Sequence, residues 1–182
     1  LILPDEIKYR FVGDIDVSLW KEKILTSNLN WDDYDFRQLR YKDHIETKTI
    51  PLIWSEKFTS QQKWEPYYST FKNDLDKIES IVRKSLCKSG DFMSVILINL
   101  PVGKSIARHI DANPIGERFN RCHRIHIPII TNPDCIFEID GEEKNMKEGE
   151  IWEISNVKKP HSVQNKGVSD RIHLLVDWDP FL

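Results

Sequence analysis

The chain is poor in the residues that would mark several common protein classes. It has three cysteines, Cys87, Cys122 and Cys135, among 182 residues, and none are spaced as Cys-x-x-Cys. That excludes a disulfide framework and a cysteine zinc site, and fits a reducing compartment. No apolar run approaches the ~20 residues of a membrane span; the longest, Val95–Leu100, is strand-sized and interrupted by Asn99. Neither sign of charge dominates, with 26 Lys and Arg against 29 Asp and Glu and a formal net charge of −3. Nucleic-acid binding is therefore not expected, because displacing counterions requires a basic surface. The start, Leu-Ile-Leu-Pro-Asp-Glu, lacks the basic end and apolar stretch of a signal peptide. It also lacks an initiator Met, so the numbering is expected to begin after a trimmed residue. A cytoplasmic protein without membrane partners is the expectation.

What is present reads as one domain. Hydrophobic residues at 40% and charged residues at 30% suit an ordinary globular chain. Residues 16–27 place Val17, Trp20, Ile24 and Leu25 on one side of a helix, with Asp16 as N-cap. Residues 67–88 give a stronger helix, in which Phe71, Leu75, Ile78, Val82 and Leu86 step by three or four between Pro66 and Gly90. The aromatic-rich segments between these helices read equally as short strands or as a binding wall. From residue 91 onwards, extended runs over 92–100, 105–111, 122–130, 135–140, 150–155, 161–165 and 171–178 alternate with turn sequences such as Pro-Val-Gly and Asp-Gly. This predicts a mainly β sandwich or barrel with flanking α-helices. Residues 1–90 form a helical, aromatic-rich flank and 91–182 the β core of a single 1–182 domain.

Histidine is the residue type that carries the chemistry. In a strand, His109 and Asp111 point to one face and converge, supplying two of the three ligands of a facial Fe(II) site. The motif alone is weak. With six histidines and 29 acidic residues in 182, chance supplies about one such pair, and His44-Ile45-Glu46 has the same form. Context favours His109. It lies inside a strand that follows the Pro101-Val102-Gly103 turn, and a further histidine, His161, opens a strand some fifty residues on. With a turn at 165–170, the strands beginning at His161 and Arg171 are expected to pair as antiparallel neighbours. Arg171 then reaches the space that His161 faces, where a guanidinium suits two-pronged binding of a carboxylate. In Cys122–Ile129, Ile125, Ile127 and Ile129 share one face and Arg124 and His126 the other. A half-solvated strand explains this pattern, and so does a barrel whose polar face lines a ligand cavity.

His109-x-Asp111, Arg124-x-His126-x-Pro128-Ile129, Thr131-Asn132, Gly149-Glu150, His161-x-Val163-x-Asn165 and Arg171-Ile172-His173-Leu174 together resemble the aspartyl/asparaginyl β-hydroxylase family. The resemblance spans residues 91–178, about half the chain. It implies a double-stranded β-helix, or jelly roll, and a dioxygenase that uses Fe(II), 2-oxoglutarate and O2. It further implies that His109, Asp111 and His161 bind iron and that Arg171 pairs with the distal carboxylate of 2-oxoglutarate. Arg124 and His126 are implied to lie against that co-substrate. The expected reaction hydroxylates an unactivated C–H of an amino-acid or peptidyl substrate resembling Asp, Asn or Pro, and releases succinate and CO2. Because Asp111 is present, the chain looks more like the small microbial and viral members than the animal membrane-anchored enzymes, which lack that carboxylate.

Two other readings share the architecture. Gly103-x5-His109 and His161-x3-Asn165 match pieces of the cupin signatures, so a cupin-like metal enzyme that does not use 2-oxoglutarate is one alternative. A non-catalytic jelly-roll binding module is the other. Arg171 discriminates, since it has no evident task in a cupin. Among the remaining residues, His44 is expected to be exposed or a local hydrogen-bond partner, with substrate contact as the alternative, and His123 to lie outside the cavity. His173 borders the site or packs structurally. Arg118 and Arg121 read as surface charges on the connection after the metal-binding strand, and Cys122 and Cys135 as small core residues.

Overall fold

A computed structural model describes residues 3–55, 61–111 and 120–182. In chain order the flank contributes β1 (Tyr9–Asp14), α1 (Ser18–Thr26), α2 (Phe36–Arg40), a 3-10 turn (Lys42–His44), β2 (Lys48–Trp54), β3 (Gln62–Lys63) and α3 (Tyr67–Ser85). The β core follows as β4 (Asp91–Leu100), β5 (Ser105–His109), β6 (His123–Ile130), β7 (Cys135–Ile139), β8 (Glu142–Lys144), β9 (Glu150–Ile154), β10 (His161–Asn165) and β11 (Arg171–Asp179). These strands form a seven-stranded sheet in the order β1-β9-β6-β11-β4-β2-β3, facing a four-stranded sheet ordered β5-β10-β7-β8. Two facing sheets with the chain passing from one to the other make the jelly roll.

The helices cover the outer face of the larger sheet. Trp20 and Ile24 of α1 and Phe71, Leu75, Ile78 and Val82 of α3 pack against Ile125, Ile127 and Ile129 of β6 and against Ile172, Leu174 and Val176 of β11. Trp20 stacks on Phe71 with ring centroids 4.7 Å apart. Each such side chain withdrawn from water contributes roughly 1.5–3 kcal/mol, which accounts for the strict three- and four-residue spacing along α3. Leu25 departs from this pattern. It is 74% exposed, because α1 turns only the Trp20–Ile24 edge inward. Asp16 still serves the helix start, accepting the Ser18 N–H at 2.9 Å, but from one position before the N-cap, Val17.

With one face against helices and the other against the smaller sheet, the central strands are buried on both sides. That settles the ambiguity of β6: the isoleucines enter the helix-side core while Arg124 and His126 turn toward the space between the sheets. On β11 the same alternation sends Arg171, His173 and Leu175 inward, away from Ile172 and Leu174.

One expected pairing is corrected. β10 and β11 are not neighbours: β10 pairs with β5 and β7, whereas β11 pairs with β4 and β6 in the other sheet. The 165–170 turn crosses between sheets and is fastened by polar side chains. Asn165 Nδ2 donates to the Leu100 and Ser169 carbonyls, and Asn132 Nδ2 donates to Asn165 Oδ1 and the Ser169 carbonyl, all at 2.9–3.0 Å. Gly149 holds a comparable corner at φ 81°, where an added Cβ would lie 2.4 Å from the Ile15 carbonyl oxygen. The flank is also less helical than its composition suggests, since β1 and β2 extend the larger sheet.

Candidate metal centre and co-substrate pocket

The smaller sheet brings the two site histidines together. His161 at the start of β10 sits directly across from His109 at the end of β5, with ring centroids 4.3 Å apart. The strand expected over 105–111 stops at His109, and Asp111 follows it on a segment tied by its N–H to the Asn156 carbonyl at 3.0 Å. There the carboxylate faces both rings: His109 Nε2 lies 3.3 Å from Asp111 Oδ1, and His161 Nε2 lies 3.7 Å from Asp111 Oδ2. Asn156 Nδ2 at 2.9 Å and the Arg124 guanidinium also donate to Asp111.

The other nitrogen of each ring decides what it can do. His109 Nδ1 is 2.7 Å from the Ala107 carbonyl and His161 Nδ1 is 3.4 Å from the Lys159 carbonyl. Carbonyls only accept, so both rings carry their proton on Nδ1 and turn a bare Nε2 toward Asp111. Apart from the Asp111 carboxylate 3.3 Å away, the buried His109 Nε2 has no polar partner among the described residues, which leaves it and the carboxylate to share a ligand. Two imidazoles and one carboxylate suit a divalent first-row metal with open positions, so these residues fit iron(II).

His44 enters the same space: it is not exposed, but is a local hydrogen-bond partner of Arg37. It is buried, its ring lies 5.0 Å from that of His109, and one of its nitrogens lies within 4.8 Å of a donor atom of His109 and of Asp111. However, Arg37 Nη2 approaches His44 Nε2 at 3.4 Å and must donate, which occupies the lone pair and leaves the ring proton on Nδ1. His44 is therefore a poorer ligand than His161. The fold also uses its neighbour Glu46, whose carboxylate accepts from the Ser105 N–H at 2.9 Å and from Lys104 Nζ at 3.1 Å, fastening this turn to β5.

A cleft between the sheets opens beside these groups, lined by Arg37, His44, His109, Asp111, Arg124, His126, Phe137, His161 and Arg171 among others. Arg171 is 1% exposed. Its Nη2 donates to His173 Nδ1 at 2.7 Å, and among the described residues no carboxylate lies within ion-pairing distance. A buried guanidinium with no counter-charge is costly in an apolar site and calls for an anion. Burial lowers its affinity for its proton to a pKa of about 10, still far above neutrality. Arg124, in contrast, is engaged with Asp177 at 2.7 and 3.0 Å as well as with Asp111. His126 lies edge-on to Phe137 at 5.2 Å, with Nδ1 unpartnered. His173 is the support behind Arg171. His123 is outside the cavity, bonded to Glu153 at 2.7 Å. Arg121 pairs with Asp179, and Arg118 lies outside the described residues.

Burial sets the electrostatics. It lowers the pKa of His161 to about 4 against the pull of Asp111, and that of His44 to about 2 with the help of Arg37. Burial would raise Asp111, but Arg124 and the two histidines outweigh it and hold the carboxyl well below the usual carboxylate range. The metal-free protein is thus expected to lose stability on acidification. His44 and His161 titrate near 6.5 when unfolded and much lower when folded, so the unfolded state binds more protons below that value. Their contribution is complete above about pH 6.5 and is lost as pH falls, roughly 2–3 kcal/mol between pH 7 and 5.5. His109 is raised by Asp111 despite its burial, so its stabilisation is present in acid and is lost only as pH rises. Urea midpoints measured across that range check the slope, and a flat profile contradicts it.

A jelly roll with two histidines and an aspartate converging between its sheets, beside an arginine with no carboxylate partner among the described residues, fits a metal-dependent oxygenase. A model of the aspartyl/asparaginyl β-hydroxylase family matches residues 21–180. The chain belongs to the aspartyl/asparaginyl β-hydroxylase family and is an oxygenase. No curated protein matches it in sequence. Solved structures similar in fold include a 2OG-Fe(II) oxygenase-family oxidoreductase from Burkholderia pseudomallei, at 12% identity and TM-score 0.68, covering 96% of this chain and 85% of that one. A Pseudomonas putida prolyl-4-hydroxylase is similar at 13% identity and TM-score 0.56, over 96% and 93% of the two chains. HygX from Streptomyces hygroscopicus, solved with nickel, 2-oxoglutarate and hygromycin B, is similar at 10% identity and TM-score 0.59, over 97% and 84%. Among the described residues no helix is long and apolar enough to cross a membrane.

Proposed function

We propose that the chain is a hydroxylase that couples decarboxylation of 2-oxoglutarate to oxidation of an unactivated C–H in an amino-acid or peptidyl substrate. One oxygen atom of O2 enters the new C–OH; the other enters succinate, with loss of CO2. The observation that carries this reading is the pairing of two bare Nε2 atoms at Asp111 with the uncompensated Arg171 in one cavity. Bound iron(II) supplies the redox chemistry that activates O2.

The protein's own residues set the geometry. His109, Asp111 and His161 are the proposed metal ligands, each oriented beforehand by the Ala107 carbonyl, by Arg124 with Asn156, and by the Lys159 carbonyl respectively. Arg171, held flat by His173, binds the distal carboxylate of 2-oxoglutarate by a charge-assisted two-pronged contact. His126 lines the co-substrate path as a neutral ring, kept so by burial and by Arg171 and Arg124. Arg124 acts at the same place mainly as a support, since its guanidinium already grips Asp177 and Asp111. Ile98, Ile106, Val163 and Leu175 complete the walls and exclude water. That a prolyl hydroxylase shares the fold supports a substrate of amino-acid or peptide type.

The wild-type protein is tested by anaerobic binding of Fe(II) and then 2-oxoglutarate, followed by an aerobic succinate assay against pools of amino acids and peptides. Sequential binding with a new metal-to-ligand absorption band is the expected result, and succinate release should rise with the productive pool. A protein that binds iron but neither binds nor consumes 2-oxoglutarate favours the cupin-like alternative, and one that binds neither favours a non-catalytic module.

A further inference from the structure

A row of polar side chains crosses the three central strands of the larger sheet behind the metal site, and the proposed reaction leaves its far end without a task. Ser94 on β4, Asp177 on β11 and Arg124 on β6 are direct neighbours in register, and all three are buried. Ser94 Oγ donates to Asp177 Oδ2 at 2.6 Å. Arg124 grips the same carboxylate with two prongs, Nε to Oδ1 at 2.7 Å and Nη2 to Oδ2 at 3.0 Å. Its remaining nitrogen, Nη1, donates to Asp111 Oδ2. Asp177 itself is not among the residues that line the cleft, so it can act on the metal site only through Arg124.

Asp111 is affected in two ways, one geometric and one electrostatic. A planar guanidinium held at Nε and Nη2 cannot turn, so Nη1 has one direction to donate in, and that direction ends on Asp111 Oδ2. Asn156 Nδ2 donates to the same oxygen at 2.9 Å. Oδ2 is thus occupied twice, whereas Oδ1 faces the bare His109 Nε2 at 3.3 Å. One oxygen of Asp111 is held back and the other is offered. As for charge, Arg124 between Asp111 and Asp177 leaves the trio with one net negative charge. Without Asp177 the whole guanidinium charge would fall on Asp111, in competition with a divalent cation.

We infer, building on the metal-ligand set proposed above, that Asp177 is a positioning residue for that metal. Acting through Arg124, it fixes which oxygen of Asp111 is free to coordinate. It also cancels the guanidinium charge, so that Asp111 keeps its own for the metal. Ser94 anchors the far end of the row and has no part in metal affinity.

The test titrates full-length protein anaerobically with Co(II), a divalent probe visible by absorption, and reads both affinity and spectrum. Asp177→Asn keeps the shape of the side chain and removes its charge. It is expected to bind Co(II) ten- to a hundredfold more weakly, with altered visible bands. Adding Asp177→Asn to Arg124→Gln should change affinity by no more than threefold, because Asp177 has no route to Asp111 once the guanidinium is gone. Ser94→Ala removes a bond to Asp177 but no charge, and should lower the urea midpoint while leaving Co(II) affinity within threefold. Asp177→Asn that binds Co(II) as wild type does overturns the inference, and so do losses that add in the double variant. A loss in Ser94→Ala as large as in Asp177→Asn overturns it too, by making the row merely structural. If Asp177→Asn fails to fold, Asp177→Glu keeps the charge but displaces the guanidinium: altered visible bands are expected, and an unchanged spectrum overturns the inference. Wild-type protein that takes up no Co(II) is a separate result, which removes the proposed metal-ligand set and this inference with it.

Discussion

Arg171→Leu is expected to weaken 2-oxoglutarate binding by two to three orders of magnitude while leaving Fe(II) affinity within a few-fold of wild type. Arg171 has no carboxylate partner among the described residues, so the full strength of a buried, charge-assisted contact is available to the co-substrate. Truncating one partner of such a pair costs about 3–5 kcal/mol, because the other charge is then buried alone. Iron is spared because Arg171 contacts His173 and none of His109, Asp111 or His161. The metal-free variant should melt no lower than wild type, since an unpaired buried cation has been replaced by an apolar group. Calorimetric titration of the Mn(II)-loaded protein with 2-oxoglutarate, beside a metal titration, separates the two affinities. Equal loss of both makes Arg171 a folding residue and sinks its assignment to the co-substrate.

Asp111→Ala should abolish tight iron binding and lower coupled turnover by at least about three orders of magnitude, the largest effect expected of any single change here. Asp111 is the hub of the cluster, facing His109 at 3.3 Å and His161 at 3.7 Å and accepting from Arg124 and from Asn156. Without it, two imidazoles remain and nothing balances the charge of the metal. The fold should survive at a cost of about 1–3 kcal/mol for the donors left unsatisfied, because Arg124 keeps its paired contacts to Asp177. Equilibrium dialysis against Fe(II) under argon, with urea unfolding as the control for structure, measures both quantities. A variant that holds iron and consumes 2-oxoglutarate as wild type does would remove Asp111 from the metal site.

Much of the β core was readable because strand signals are local. Alternation along Cys122–Ile129 and the turns at Pro101–Gly103 and Asp140–Gly141 depend on neighbours within a few residues, and the strands lie where those signals put them. The stepping of Phe71 to Val82 likewise needs only one helix and the face it covers. Leu25 was misjudged because a helical stripe is about 100° wide, while the contact α1 makes is narrower. The pairing of β10 with β11 failed for a different reason. A short connection usually joins neighbours, and nothing local says that Asn132 and Asn165 will fasten this one as a crossing between sheets. His44-Ile45-Glu46 looked like the chance twin of His109-Ile110-Asp111, and the two come together only because Glu46 holds its turn against β5. Arg37 carried no signal at all, since an arginine in a short helix is ordinarily solvated.

The sequence by itself, with few cysteines, little net charge and no long apolar run, determined a single chain of ordinary core size built mainly of strands. It also singled out His109, Asp111 and His161 as candidates, but not His44, which the structure places beside His109 and Asp111. Only the tertiary structure decided that both ring protons point to carbonyls, that Arg124 is already paired with carboxylates while Arg171 and Arg37 have none within ion-pairing distance among the described residues, and that the flank supplies a wall of the site. The ring protons meet carbonyls only two residues away, but the pairing of Arg124 with Asp177 and of His109 with His161 brings groups more than fifty residues apart into one dehydrated space. There an unpaired charge or an empty nitrogen has a cost, and residues adjacent in sequence cannot impose it.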